Sequence, residues 1–336
     1  MRKKHKSMLY AFISLSLLAV LAGCGKQQPS EAAAGKLSLT IADTVSNPTF
    51  QVALTEGIFE KYNIDAKIAT FATPAEGINA LFINQVNAAY GADFPVLNAV
   101  SKGEYSIIAS TGTGLSEQDA ANWKLFVRDE VQSAADLKGR KVSNFRGTFV
   151  SYLWDKYLQQ HGLTSDDVEI IGQGGFDESY VALKSGEIDA VWVTGATLID
   201  KFASLPGVHQ LTDMSQTEVR TGGEIIIPNA LLEENAEGVK NFLRAIEEAS
   251  QFIQENPERV ADIMFEKVKQ PRDMTLADLE NVRWSLQFSE QAYETMNKQK
   301  DYMVAEGIIQ QDFAVKDKLR LEALKEVLPE RVTYEP

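Results

Sequence analysis

Five stretches of this 336-residue chain concentrate small polar residues just before apolar runs with helical spacing: 43–49, 90–93, 110–114, 144–148 and 193–197. Residues of this kind at helix starts suit one chemistry above others. The first turn of a helix presents unpaired N–H groups and about half a positive charge, and small side chains let a ligand approach them. Ser46, Asn47, Thr111, Gly147, Thr148 and Thr194 are therefore the candidate hydrogen-bond donors to an oxyanion, with Thr44, Gly91, Gly112 and Gly195 beside them in the same loops. Arg146 is the candidate charge partner, since a guanidinium pairs with a carboxylate or sulfonate through two parallel bonds. Asp93, before Phe94-Pro95, reads as a helix cap; facing a crevice, it would instead call for a ligand with an amine or other cationic group.

Catalytic constellations are poorly represented. Of three histidines, His5 lies in the basic N-terminal stretch, and His161 and His209 fall outside the candidate loops. The single cysteine is Cys24, and there is no Gly-x-Ser-x-Gly elbow, no metal-ligand spacing and no phosphate loop. Neither a cofactor nor a metal is expected. Carboxylates are abundant, which reflects an acidic surface and singles out no acid/base pair. A secreted hydrolase is the remote alternative, and a carboxylate or histidine pair clustered in a crevice would revive it.

Cys24 has a different chemistry. Arg2, Lys3, Lys4 and Lys6 precede an apolar stretch from Met8 to Ala22 that is shorter than the ~20 residues a bilayer span needs. A basic start, a short apolar core and small residues at its end read as a cleaved secretion signal over 1–23. Leu21-Ala22-Gly23-Cys24 resembles the lipobox of bacterial lipoproteins, which implies lipidation of Cys24, an extracytoplasmic location on the cell membrane and a monoderm host. Residues 24–35, polar and small without an apolar period, suit a flexible leash. Loss of the four basic residues takes the net charge from −14 to −18. So acidic a body disfavours nucleic acid as a partner.

The elements that must position the loops alternate. Leu37-Ser38-Leu39-Thr40-Ile41 has strand alternation, a helical stretch follows Asn47-Pro48, and 64–71 reads as a second strand. Thr73-Pro74-Ala75-Glu76 combines an N-cap, a proline at the first helical position and a glutamate three residues after the cap. This βαβα order predicts an α/β fold with mainly parallel sheets covered by helices. It also recurs: Ala80-Leu81 and Val86-Asn87-Ala88-Ala89 are matched by Ala182-Leu183 and Ile188-Asp189-Ala190-Val191 at an offset of 102, and Thr49-Phe50 by Thr148-Phe149 at 99. Two similarly built lobes are expected, joined by crossover strands at 124–128 and 224–228. Lobe I takes 36–126 and 224–336, and lobe II takes 127–223. Trp284, Phe288, Tyr293, Met296 and Trp192 read as core. Trp123 and Phe145 are possible aromatic walls of a crevice.

Several segments carry a family resemblance. Asn47-Pro48, Gly57-Ile58-Phe59-Glu60, Gly91-Ala92-Asp93-Phe94-Pro95, Ser133-Ala134-Ala135-Asp136-Leu137-Lys138-Gly139, Gly147-Thr148 and Leu183-Lys184-Ser185-Gly186-Glu187-Ile188-Asp189-Ala190 resemble, in order, the sulfonate, nitrate and taurine group of ABC-transporter substrate-binding proteins, a group that also includes binders of thiamine-precursor pyrimidines. The resemblance implies a two-lobed periplasmic-binding-protein fold of type II, monomeric. It further implies capture of a small anion between the lobes and delivery to a membrane permease driven by a cytoplasmic ATPase. A thiamine-pathway pyrimidine or other small aromatic heterocycle is the alternative solute, favoured by an aromatic-lined crevice with an exposed acidic group. Where many members carry a tryptophan and a proline after the Asp-Ala pair, this chain has Thr194-Gly195-Ala196-Thr197-Leu198, which reshapes the lobe II wall.

Overall fold

The computed structural model describes residues 36–335. Cys24, the expected signal and the leash lie outside them. Among the described residues ten strands follow one another: β1 (Leu37–Thr44), β2 (Ile64–Phe71), β3 (Ala88–Ala92), β4 (Tyr105–Ser110), β5 (Trp123–Arg128), β6 (Lys141–Phe145), β7 (Glu169–Gln173), β8 (Ala190–Thr194), β9 (Val208–Asp213) and β10 (Gly223–Pro228). They form two separate sheets, in the orders β2-β1-β3-β10-β4 and β7-β6-β8-β5-β9. These are the same order written twice. The sequence repeat is therefore a repeat of topology, with β3 and β8 at the offset of 102.

A shared hydrogen bond explains why that segment is written alike in both copies. Asn87 Oδ1 accepts from the Thr40 amide at 2.7 Å while the Asn87 amide donates to the Thr40 carbonyl. Asp189 Oδ2 accepts from the Lys141 amide at 2.9 Å, and its own amide donates to the Lys141 carbonyl. In each lobe a short polar side chain thus locks the third strand onto the first. Gly186 closes the preceding helix with φ of 80°, a conformation that costs glycine little.

Each sheet borrows one antiparallel strand from the far side of a crossover. β10 lies between β3 and β4, and β5 between β8 and β9. The boundary expected at 126 moves accordingly. All of β5, from Trp123 onward, pairs with β8 and β9 and belongs to the second sheet, because a strand with both neighbours in one sheet cannot serve as the link. The links are 111–122 and 214–222. Helices from Asn229 onward cover mainly the first sheet, where the Phe50 and Phe59 rings lie nearly parallel to Phe242 at 6.2 and 6.1 Å. In the second lobe Trp154 packs edge-on to Trp192 at 5.8 Å. Trp192, Phe288 and Met296 are fully buried, as expected of core residues.

The two links run side by side. The Thr111 amide donates to the Gly223 carbonyl at 2.7 Å. Gly114, at φ of 84°, sits so close to the second link that a Cβ there would fall 1.8 Å from the Thr221 carbonyl oxygen. Gly114→Ala should cost on the order of 2–3 kcal/mol, from the left-handed backbone and the clash together. Urea denaturation would register the loss. An unchanged midpoint would mean that the links do not pack as described.

Candidate functional site

In open α/β sheets ligands bind beyond the carboxyl ends of the strands, and the candidate loops gather there in each lobe. On the lobe I side the floor is acidic. Asp43, near the end of β1, is 2% exposed, and neither carboxyl oxygen has a hydrogen-bond partner. Burial pushes its pKa well up; the Thr44 amide and Asn47 side chain approach without reaching bonding geometry and offset only part of this. In the register that pairs Ala42 with Ala89, the next position sets Asp43 beside Tyr90. The Tyr90 phenol is likewise pushed up, chiefly by burial, with the charges of Glu224 and Asp43 adding to it. Its ring meets Trp284 edge-on at 5.8 Å. Trp284 is brought there by the segment at 285–287, whose backbone pairs with Ser110 and Thr111 along the edge of β4.

Behind this floor sits a pair of carboxyls, Asp93 and Glu224. Asp93 Oδ2 accepts from the Gly222 amide at 2.6 Å and from Gln299 Nε2 at 2.8 Å, and Gln299 Nε2 also donates to the Arg220 carbonyl. Glu224 beside it is fully buried, and both its oxygens lack a donor. Burial raises both carboxyls, and the Asp93 charge raises Glu224 further. Two adjacent carboxyls in such a setting are tolerable when they share a proton. Asp93 is thus neither a side-chain cap of the helix Asp93–Lys102 nor a crevice group. It tethers the second interlobe link.

Lobe II has an aromatic cluster at its candidate loops, in which Trp123 and Phe176 are half-buried and Phe145 and Phe149 buried. Trp123 opens β5 opposite Thr194 at the end of β8. Its ring meets Phe149 edge-on at 4.9 Å and lies 6.4 Å from Phe176, which in turn meets Phe145 at 4.7 Å. Asn144 Oδ1, near the end of β6, is buried without a partner.

The expected oxyanion donors are dispersed in role. Thr44 Oγ1 and Ser46 Oγ lie 3.3 Å apart, and Asn47 Oδ1 accepts from the Thr49 amide at 3.0 Å in the turn before the helix Thr49–Thr55, while its Nδ2 stays buried and unpartnered. Thr111 Oγ1 donates to the Gly223 carbonyl, and Thr148 Oγ1 to the Phe145 carbonyl. Gly91 and Gly112 serve packing: a Cβ would meet Ile78 at 2.9 Å in the first case and Gln287 and the Ser285 carbonyl at 2.8 Å in the second. Arg146 is exposed and donates to the Gly172 carbonyl at 3.2 Å. It is paired with the edge of its own sheet.

Two contacts cross between the lobes at these loops. The Cβ position of Gly147 lies 3.7 Å from Ala75 Cβ. Gly195, at φ of 87°, leads into the helix Ala196–Ala203, whose first amide donates to Asp278 Oδ1 at 3.0 Å. Asp278 comes from the helix Arg272–Asn281, and its Oδ2 accepts from Gln270 at 2.8 Å. A carboxylate of lobe I thus already fills one helix start that was expected to receive a ligand.

Sequence reasoning missed Asp43, Glu224 and Asp278. The first two had a signal, since a carboxylate ends or opens an apolar strand run at each. Asp278, in a polar helix, had none. Among the described residues no group of three or more His, Cys, Asp or Glu is placed to hold a metal, and no helix is long and apolar enough to cross a membrane.

Known proteins share this architecture. The alkanesulfonate-binding protein SsuA of Xanthomonas axonopodis pv. citri, solved with MOPS bound, superposes with a TM-score of 0.72 at 15% identity, over 86% of this chain and all of that one. The aliphatic sulphonate-binding protein SsuA of Escherichia coli gives 0.72 at 15%, over 84% and 97%. The desulfurization enzyme DSZB gives 0.64 at 14%, over 88% and 99%. At such identities the likeness establishes the periplasmic-binding-protein fold. In sequence, proteins of Brucella abortus and Brucella suis named as binding proteins are 29% identical over 230 residues, 66% of this chain and 68% of theirs. The family described as NMT1/THI5 like matches residues 48–260, well over half of the chain, and this chain belongs to that family.

Proposed function

We propose that this protein is the extracytoplasmic solute-binding component of an ABC importer, held to the cell membrane by lipid on Cys24. It captures a small solute between its lobes, closes by bending at 111–122 and 214–222, and presents the closed form to a permease driven by a cytoplasmic ATPase. The observation that carries this reading is the pair of sheets of identical order joined by two adjacent links. That arrangement permits one lobe to rotate against the other with little internal change. A solute stabilises the closed form by its greater affinity for that form.

The geometry supports a small aromatic heterocycle over the anion first expected. The half-buried Trp123 and Phe176, backed by the buried Phe149 and Phe145, suit a flat ring, and lobe I carries Asp43 and Tyr90 near its strand ends with no lysine or arginine in an ion pair with Asp43 among the described residues. Thr44, Ser46, Asn47, Thr148, Thr194 and Gly195 are then rim groups around the ring. The oxyanion reading keeps one argument: the start of the helix Ala196–Ala203 does hold a carboxylate, that of Asp278. A sulfonate could take its place. Hydrolysis finds no support, because Asp93, one of the clustered pair that would revive it, is spent on the interlobe link.

Three outcomes test this. In a thermal-shift screen across sulfonates, nitrate, carboxylates and aminopyrimidines, a nitrogen heterocycle should raise the melting temperature. A ligand at a hundred times its Kd adds about 2.7 kcal/mol, and uniformly flat curves would refute solute capture. Trp123→Ala should weaken the best solute about tenfold by calorimetry, a loss in the range of one aromatic stacking contact. Asp278→Ala separates the two ligand classes. It should weaken a heterocycle several-fold by loosening closure, whereas a sulfonate, relieved of a competitor, would bind more tightly.

A further inference from the structure

Asp43 is the acidic group that the mechanism of closure leaves unused. Asp93 is held by Gly222 and Gln299 and lies against Glu224, with which it can share a proton; Asp278 has Ala196 and Gln270. Asp43 is 2% exposed, near the carboxyl end of an interior strand, where ligands of this architecture sit, and both its oxygens are without a donor. Its neighbours in the turn, Asn47 Nδ2 and Thr49 Oγ1, are also buried and unpartnered. These are neutral groups. They can hold one oxygen in place and cannot supply the positive charge that makes a buried carboxylate tolerable. Tyr90 beside it has its hydroxyl directed to Thr113 and Thr111, and no basic side chain lies within ion-pairing distance of Asp43 among the described residues.

A buried carboxyl kept unpaired lowers the stability of the empty protein, and sites of this kind are retained where function needs them. The missing partner is best supplied by the solute. Resting on the solute-capture reading above, we infer that Asp43 is the specificity-determining residue of the cleft, and that it takes a planar solute through a positively charged nitrogen, of the amidinium or aminopyridinium class. Both carboxyl oxygens are buried without a donor, and two parallel N–H bonds from one amidinium, admitted as the lobes part, would satisfy both. The aromatic wall across the cleft then receives the attached ring.

The test uses the full chain in mild detergent and three probes that share a ring and differ in charge: benzamidinium, neutral benzamide and benzenesulfonate. By titration calorimetry benzamidinium should bind at least tenfold more tightly than benzamide, and benzenesulfonate more weakly than either. Asp43→Asn should erase the preference for benzamidinium over benzamide, while the unliganded variant melts no lower than the parent. The second result distinguishes a lost ligand contact from a damaged fold. If benzenesulfonate binds best and compacts the protein in small-angle scattering, solute capture stands and the assignment of Asp43 fails. Unaltered benzamidinium binding by Asp43→Asn also overturns it. If none of the three binds or compacts the protein, solute capture fails together with the assignment.

Discussion

Each sheet of this protein is completed by a strand that the chain delivers only after crossing from the other lobe. β10 fills the gap between β3 and β4, and β5 fills the gap between β8 and β9. The chain must therefore pass between lobes twice, and the pairing of Thr111 with Gly223 forces both passages into one narrow strip. Everything mobile about the molecule follows. Two adjacent links define a single bending axis, and a side chain at Gly114 would wedge them apart. The Asp93 carboxylate, held by Gly222 and Gln299, pins one link to lobe I, so bending falls on the residues around it.

That strip also sets the electrostatics of the cleft. Asp43, Tyr90 and Trp284 gather near the strand ends beside it, Asp43 and Trp284 buried. Burying a carboxyl without a donor costs several kcal/mol unless the group is neutralised or paired. Lobe II contributes aromatic rings. Arg146, the one basic residue expected in this region, spends its guanidinium on a backbone carbonyl of its own sheet. The chemistry on offer thus favours flat solutes that donate hydrogen bonds. The helix-start geometry common to anion sites survives at Ala196, where the protein's own Asp278 occupies it.

Much of the fold was legible in the sequence because it is written twice. The Asn87 and Asp189 segments repeat since each must lock a third strand to a first, and the glycine at 186 is needed for a left-handed helix end. The lobe boundary was misread by a few residues because strand alternation cannot tell which sheet a crossover strand joins. The site was less legible for a related reason. Serine, threonine and glycine at helix starts look alike whether they cap, pack or bind, and the side chains of Thr148 and Asn47 are committed to local bonds. Gly91 and Gly112 proved to be close-packing positions. Asp43 was hidden by its place at the end of an apolar strand, where only three-dimensional burial reveals that its carboxyl has no partner. Asp278 depends on a contact between lobes, and no local pattern encodes that.

The account stands or falls on closure of the lobes around a solute. Spin labels at Ile83→Cys and Val181→Cys, 71% and 62% exposed on lobes I and II, would report it directly by electron–electron dipolar spectroscopy. The account predicts a distance distribution that narrows and shifts when solute is added, with the shift lost when solute is washed out. A single distance indifferent to any bound solute would contradict it.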